Sequence, residues 1–100
     1  MERQRIDVMY RLDTDGEALA IFPYDVDVSG KVGCYAHYGQ HSVCSVEYYR
    51  KLKKCPAEKV QELRDELVSI GYEPKEVSRF SHRRYRDAYR DSMSNVLNNI

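Results

Sequence analysis

Residues 5–12 alternate strictly, with Ile6, Val8, Tyr10 and Leu12 on one side and Arg5, Asp7, Met9 and Arg11 on the other. A period of two predicts a half-buried strand. The turn formers Asp13-Thr14-Asp15-Gly16 follow, and the apolar run from Ala18 to Phe22 predicts a second, more buried strand ended by Pro23. The pair reads as a hairpin. After a polar connection closed by Ser29-Gly30, Val32 to Tyr38 and Ser42 to Tyr48 predict two more strands around a tight turn at Gly39-Gln40.

The period changes at Pro56, which suits the start of a helix because its missing N–H costs nothing there. Val60, Leu63, Leu67 and Ile70 then recur at helical spacing among Glu58, Lys59, Glu62, Arg64, Asp65 and Glu66, predicting a helix over about 56–70 with Gly71 as its stop. Residues 72–80 read as a short strand or an extended connection. Tyr85, Tyr89, Met93, Val96, Leu97 and Ile100 mark the apolar face of a second helix over about 81–98, with Ala88 and Ser92 small enough to admit a neighbour. No repeat, low-complexity tract or linker interrupts the chain. The pattern predicts a single α+β domain over residues 1–100, strand-rich over 5–49. Its expected architecture is an antiparallel sheet of three to five strands with both helices packed on one face.

Composition narrows this picture. An apolar fraction of 42% with 16 basic and 16 acidic residues fits a globular fold and gives no global pull toward nucleic acid or membrane, so an electrostatic partner must be met by a local patch. The nine tyrosines, beside two phenylalanines and no tryptophan, suit a shallow core or a sticky surface. Cys34, Cys44 and Cys55 are an odd set, and no run resembles a signal peptide or a membrane span. Free thiols in a cytoplasmic protein are the expectation.

The run Ala20-Ile21-Phe22-Pro23, the stretch Tyr35-Ala36-His37-Tyr38-Gly39-Gln40-His41-Ser42, and Pro56 with Glu66-Leu67 and Ile70-Gly71-Tyr72 carry a resemblance. Over roughly residues 5–77 the chain resembles a group of short, functionally uncharacterised proteins from phages and conjugative elements of gut bacteria. Its marks are an A-L-F-P strand, a Y-x-H-x-G-Q-H turn and an E-L-x-x-I-G-Y helix end. The resemblance implies a mobile-element setting and supplies no catalytic or binding residue. The Arg-rich last helix lies beyond it.

Three clusters are able to carry chemistry. Cys34, His37, His41 and Cys44 spell C-x2-H-x3-H-x2-C, four good zinc ligands. A two-residue turn at Gly39-Gln40 would put Cys34 and His41 on one face and His37 and Cys44 on the other, splitting the set unless a bulge or longer loop intervenes. The same residues offer a Cys–His nucleophile pair, without a third orienting group. Neither a metal nor any other cofactor is therefore expected, and packed thiols beside a hydrogen-bonded turn are the favoured reading. The acidic set Asp13, Asp15, Glu17, Asp25 and Asp27 recurs without an intervening Lys or Arg. It suits a solvated hairpin tip or a patch for a basic partner. A calcium loop begun at Asp13 would put Tyr24 where a bidentate Glu is required.

The third cluster is basic and comes in two pieces. Arg50, Lys51, Lys53 and Lys54 follow Tyr48-Tyr49, and Arg79, Arg83, Arg84, Arg86 and Arg90 stud the start of the last helix. Arg79, Arg83, Arg86 and Arg90 fall at steps of four, three and four, a single stripe if the helix begins early enough to include Arg79. Guanidinium groups among tyrosines are what a phosphate-binding surface uses, while Arg83–Asp87 and Asp87–Arg90 spacings equally suit a lattice of ion pairs on a solvated helix.

The favoured expectation is a small non-enzymatic binding protein of mobile-element origin that contacts a protein or nucleoprotein, with a host defence complex as one candidate. Its contacts would be Arg79, Arg83, Arg84, Arg86, Arg90, Tyr48, Tyr49, Lys51 and Lys54. The alternatives are an accessory nucleic-acid binder using the Arg-rich helix, and a metal- or thiol-dependent enzyme built on the Cys34–Cys44 hairpin. An open sheet edge or helix face also suits a homodimer, and no membrane contact is expected.

Overall fold

Three strands in sequence meander antiparallel, and a fourth extends them. A computed structural model of the chain describes residues 3–36 and 39–98. β1 (Gln4–Leu12), β2 (Ala18–Val26), β3 (Val32–Ala36) and β4 (Gln40–Cys44) pair in that order. The first two turns share one construction. Asp13 Oδ1 accepts from the backbone N–H of Asp15 and Glu17, Asp27 Oδ1 accepts from those of Ser29 and Lys31, and Gly16 and Gly30 take positive φ of 83° and 85°. The aspartate three residues before the glycine ties the turn that the glycine's freedom allows. Asp13 and Asp27 are thus engaged in their own turns, and the bonds around Asp27, led by the Ser29 hydroxyl, hold its carboxyl below the usual range.

Pro23 does not end β2 as its residue type predicts. It is buried inside the strand, where the β2–β3 pairing jumps from Phe22↔Gly33 to Val26↔Val32, so its lack of an N–H disturbs no regular ladder. Residues 45–50 also depart from expectation. Ser45 caps a short helix, α1 (Val46–Arg50), by accepting from the Tyr48 N–H, so the fourth strand stops at Cys44.

The other edge of β1 is shared by two partners. β5 (Lys53–Lys54) pairs antiparallel with Arg11 and Leu12. After α2 (Ala57–Ser69), β6 (Tyr72–Glu76) pairs parallel with Gln4 to Val8. The chain ends in α3 (His82–Asn98), opened by Ser81, whose hydroxyl accepts from the Arg84 N–H. The expected α+β class with a largely antiparallel sheet is what the chain forms, though with six strands, because the 72–76 segment and the two-residue β5 complete the β1 edge.

The two long helices lie on opposite faces of the sheet, not on one. Val8, Tyr10, Ala20, Phe22 and Tyr35 pack with Val60, Leu63 and Leu67 of α2. Met9, Leu19, Ile21, Val32 and Cys34 on the other face pack with Tyr49 of α1 and with Phe80, Tyr85, Ala88 and Tyr89. Continuous apolarity from Ala18 to Phe22 is the mark of a strand covered on both sides. α3 covers its face only partly, since Met93, Val96 and Leu97 are exposed at 39%, 45% and 65%. Among the described residues no helix is long and apolar enough to cross a membrane.

Three tyrosines are sunk into these layers. Burial raises the phenols of Tyr10, Tyr35 and Tyr49 above their ordinary value of 10.0, and Tyr35 also donates to Glu66 Oε1 at 2.5 Å. The folded chain therefore keeps protons that the unfolded chain releases near pH 10. Stability is expected to be undiminished by these groups below pH 10 and to fall as pH rises through their higher folded values. Absorbance at 295 nm against pH, with circular dichroism, would show their ionisation coinciding with unfolding; three phenols ionising at 10 in a folded chain would contradict this.

Candidate functional site

β5 and β6 part company on the β1 edge, and the parting leaves a cleft. The Val77 N–H still donates to the Val8 carbonyl at 3.0 Å, while the Cys55 N–H reaches the Tyr10 carbonyl only at 3.4 Å. From this point the chain leaves β5 to cross one face as α2 and leaves β6 to cross the other as α3. Crossovers diverging to opposite faces open a crevice at the strand ends, the general position of ligand sites in open sheets. Here it is about 410 Å³, with Met9, Leu52, Tyr49 and Phe80 as its apolar lining and Arg11, Arg50, Lys54 and Ser78 as its polar one.

Charge is concentrated at this cleft. Arg11 and Lys54 are direct cross-strand partners, an arrangement of like charges that weakens a sheet. Arg50 sits across from them, its guanidinium 6.0 Å from the Phe80 ring centre and its Nη2 2.9 Å from His82 Nε2. An arginine only donates, so the imidazole nitrogen is the acceptor in this contact. Burial lifts the Tyr49 phenol, and the neighbouring Arg50 and Arg11 pull against that rise. Among the described residues none of Arg11, Arg50 and Lys54 is ion-paired; the ion pairs are Arg64–Glu76 and Arg84–Asp7.

The Arg50–His82 contact joins the two basic pieces that the sequence shows apart. Four residues on from His82, Arg86 follows on the same flank of α3, and Arg83 and Arg90 complete an outward stripe with it. Arg79, Arg83, Arg86 and Arg90 are all exposed, and the ion-pair lattice with Asp87 that the spacing permits is not formed among the described residues.

Two sequence-derived contacts are corrected by burial and pairing. Tyr49 is 4% exposed because α1 turns it into the core, so it supports the cleft from beneath. Arg84 points the other way round the helix, where it pairs with Asp7 and lies 4.0 Å over the Tyr24 ring. Its role is to fasten α3 to the sheet. Tyr48 and Lys51 are exposed, but Lys51 lines a separate groove with Lys53 and Asp13. Arg11, Ser78, Phe80 and His82 escape sequence reasoning because only the β1 edge, distant along the chain, gathers them.

The hairpin carrying the thiols also differs from expectation. Ala36 pairs with Gln40, where a two-residue turn at Gly39-Gln40 would set it against Val43, and Gly39 takes a φ of 79°. The odd shift in register exchanges faces. Cys34 faces Ser42, its Sγ 3.0 Å from the Ser42 Oγ, and shares the α3 side with Cys44. His41 lies on the α2 side against Tyr35 and 3.3 Å from the Tyr72 hydroxyl. The sheet therefore separates His41 from both cysteines, while His37 lies outside the described residues. Among the described residues no three His, Cys, Asp or Glu side chains converge on a point that would hold a metal.

No protein-family model, curated protein or solved structure matches the chain.

Proposed function

We propose that this chain is a small non-enzymatic binding protein whose basic face docks on a nucleoprotein. The observation that carries the reading is the exposed stripe of Arg83, Arg86 and Arg90 on α3, with exposed Arg79 in the connection that precedes the helix, none of them ion-paired among the described residues. Guanidinium groups stay charged at every physiological pH, which disqualifies them as proton shuttles and fits them to phosphate. A purely protein contact is less well supported than the charge pattern first implies. Asp13 and Asp27, two members of the acidic set, are bound within their own turns and offer little to a basic partner. The mobile-element setting, with a host defence complex as the partner, belongs to the same proposal and has the resemblance of residues 5–77 as its support.

The test is fluorescence anisotropy of single-stranded and duplex oligonucleotides at two salt concentrations. Affinity is expected to fall steeply with salt. Replacing Arg83, Arg86 and Arg90 together by glutamine should weaken single-strand binding at least about tenfold and lower the log–log salt slope by about 2, at about 0.7 per lost phosphate contact. Absence of binding at low salt, or a slope unchanged by the triple substitution, would refute the reading.

A further inference from the structure

We infer that the cleft at the parting of β5 and β6 is a pocket for one nucleotide unit, its phosphate held by Arg11, Lys54 and Arg50 and its base laid against the apolar lining. The inference deepens the reading of the basic face as a nucleic-acid contact and rests on it for the identity of the ligand.

Four observations converge on this site. Arg11 and Lys54 are held directly opposite each other, and a bound dianion would turn that repulsion into a shared attraction. Arg50 reaches the same space from α1, held by His82 and by the face of Phe80, so its fork is positioned before a ligand arrives. The cleft lining contains a serine hydroxyl, Ser78, and no carboxylate. A volume of about 410 Å³ lies within the range for small-ligand sites, and half-buried Leu52 gives a base apolar surface.

The source of the phosphate is either a nucleic-acid strand or a free nucleotide, and one titration separates them. Thymidine 5′-monophosphate, a 5′-phosphorylated oligothymidine and the same oligomer without the phosphate are each added to the intact ¹⁵N-labelled chain. The mononucleotide is expected to shift the amides of Arg11, Lys54, Ser78 and Phe80. Lys54→Gln, at an exposed position, and Arg11→Gln should each weaken it about tenfold, the worth of one charge-assisted contact.

No shift at Arg11, Lys54 and Ser78 with millimolar mononucleotide, or equal affinity in the Lys54 and Arg11 variants, would overturn the inference. If oligonucleotides bind the parent and both cleft variants equally, the cleft inference falls while the basic-face reading stands. If the mononucleotide binds in the cleft and no oligonucleotide binds at low salt, the cleft stands as a free-nucleotide site and the basic-face reading falls. Tighter binding of the phosphorylated oligomer than of its unphosphorylated twin, lost in Lys54→Gln, assigns the pocket to a strand end.

Discussion

Leu63→Ala is expected to cost about 3 kcal/mol of folding stability, whereas Leu97→Ala should cost under about 0.5 kcal/mol. Both are helical leucines on an apolar stripe, and the sequence pattern treats them alike. The structure does not. Leu63 is fully buried between α2 and the strands, beside Val60 and Leu67, so its truncation removes methyl groups and leaves a cavity that backbone on both sides holds open. Leu97 is 65% exposed on the overhanging end of α3, where truncation returns little surface to water. In a chain of 100 residues the first loss is a large share of a total stability of about 5–15 kcal/mol and should lower Tm by roughly 12–20 °C. Thermal and urea unfolding followed by circular dichroism would measure it. Equal losses at the two positions would mean that the end of α3 is packed in solution as tightly as α2.

The contrast also marks where sequence reasoning succeeds in this fold. Local signals were legible: alternation in β1, the Asp-to-Gly turns, the 3.6-residue period of Val60, Leu63 and Leu67, and the stop at Gly71. Each depends on neighbours within a few residues. The faces of the sheet were not legible, because Met9 among Arg5, Asp7 and Arg11 reads as a solvent-side residue until α1 and α3 are found to cover it. The same limit divides the candidate site. The outward arginines Arg83, Arg86 and Arg90 announce themselves by spacing alone, and that none of them is ion-paired among the described residues is a structural finding. The cleft needed β5 and β6 to share the β1 edge, a pairing that two residues of β5 and a Pro74-containing β6 give little reason to expect.

Register is the sharpest case, and it leads to a chemical result. A hairpin turn of two residues keeps Cys34 and Cys44 on opposite faces; the observed pairing of Ala36 with Gln40 puts them together on one face. The Cys44 thiol, next along this face, is the chief influence on Cys34, and the Ser42 hydroxyl lies 3.0 Å from the Cys34 sulfur. Two interacting thiols release their protons as a pair. The first leaves easily because the proton that remains is shared, which moves Cys34 from its ordinary value near 9 down to about 6 and drives Cys44 upward. Cys55, separated from the pair and buried, is raised.

At neutral pH the chain is therefore expected to hold one thiolate, on Cys34, while Cys55 remains a thiol. Thiolate absorbance near 240 nm should rise through about pH 6 in a Cys55→Ser chain. Cys44→Ala should move that rise up by about 2 to 3 units, equivalent to about 3–4 kcal/mol of lost stabilisation of the thiolate. A Ser42→Ala chain should show a smaller movement in the same direction, because the hydroxyl is the lesser of the two donors. Absorbance avoids the slow access of alkylating reagents to Cys34, which is 4% exposed. A rise that stays near pH 9 in the parent chain and does not respond to Cys44→Ala would mean that the thiols do not meet, returning the hairpin to the two-residue turn and the opposite faces it implies.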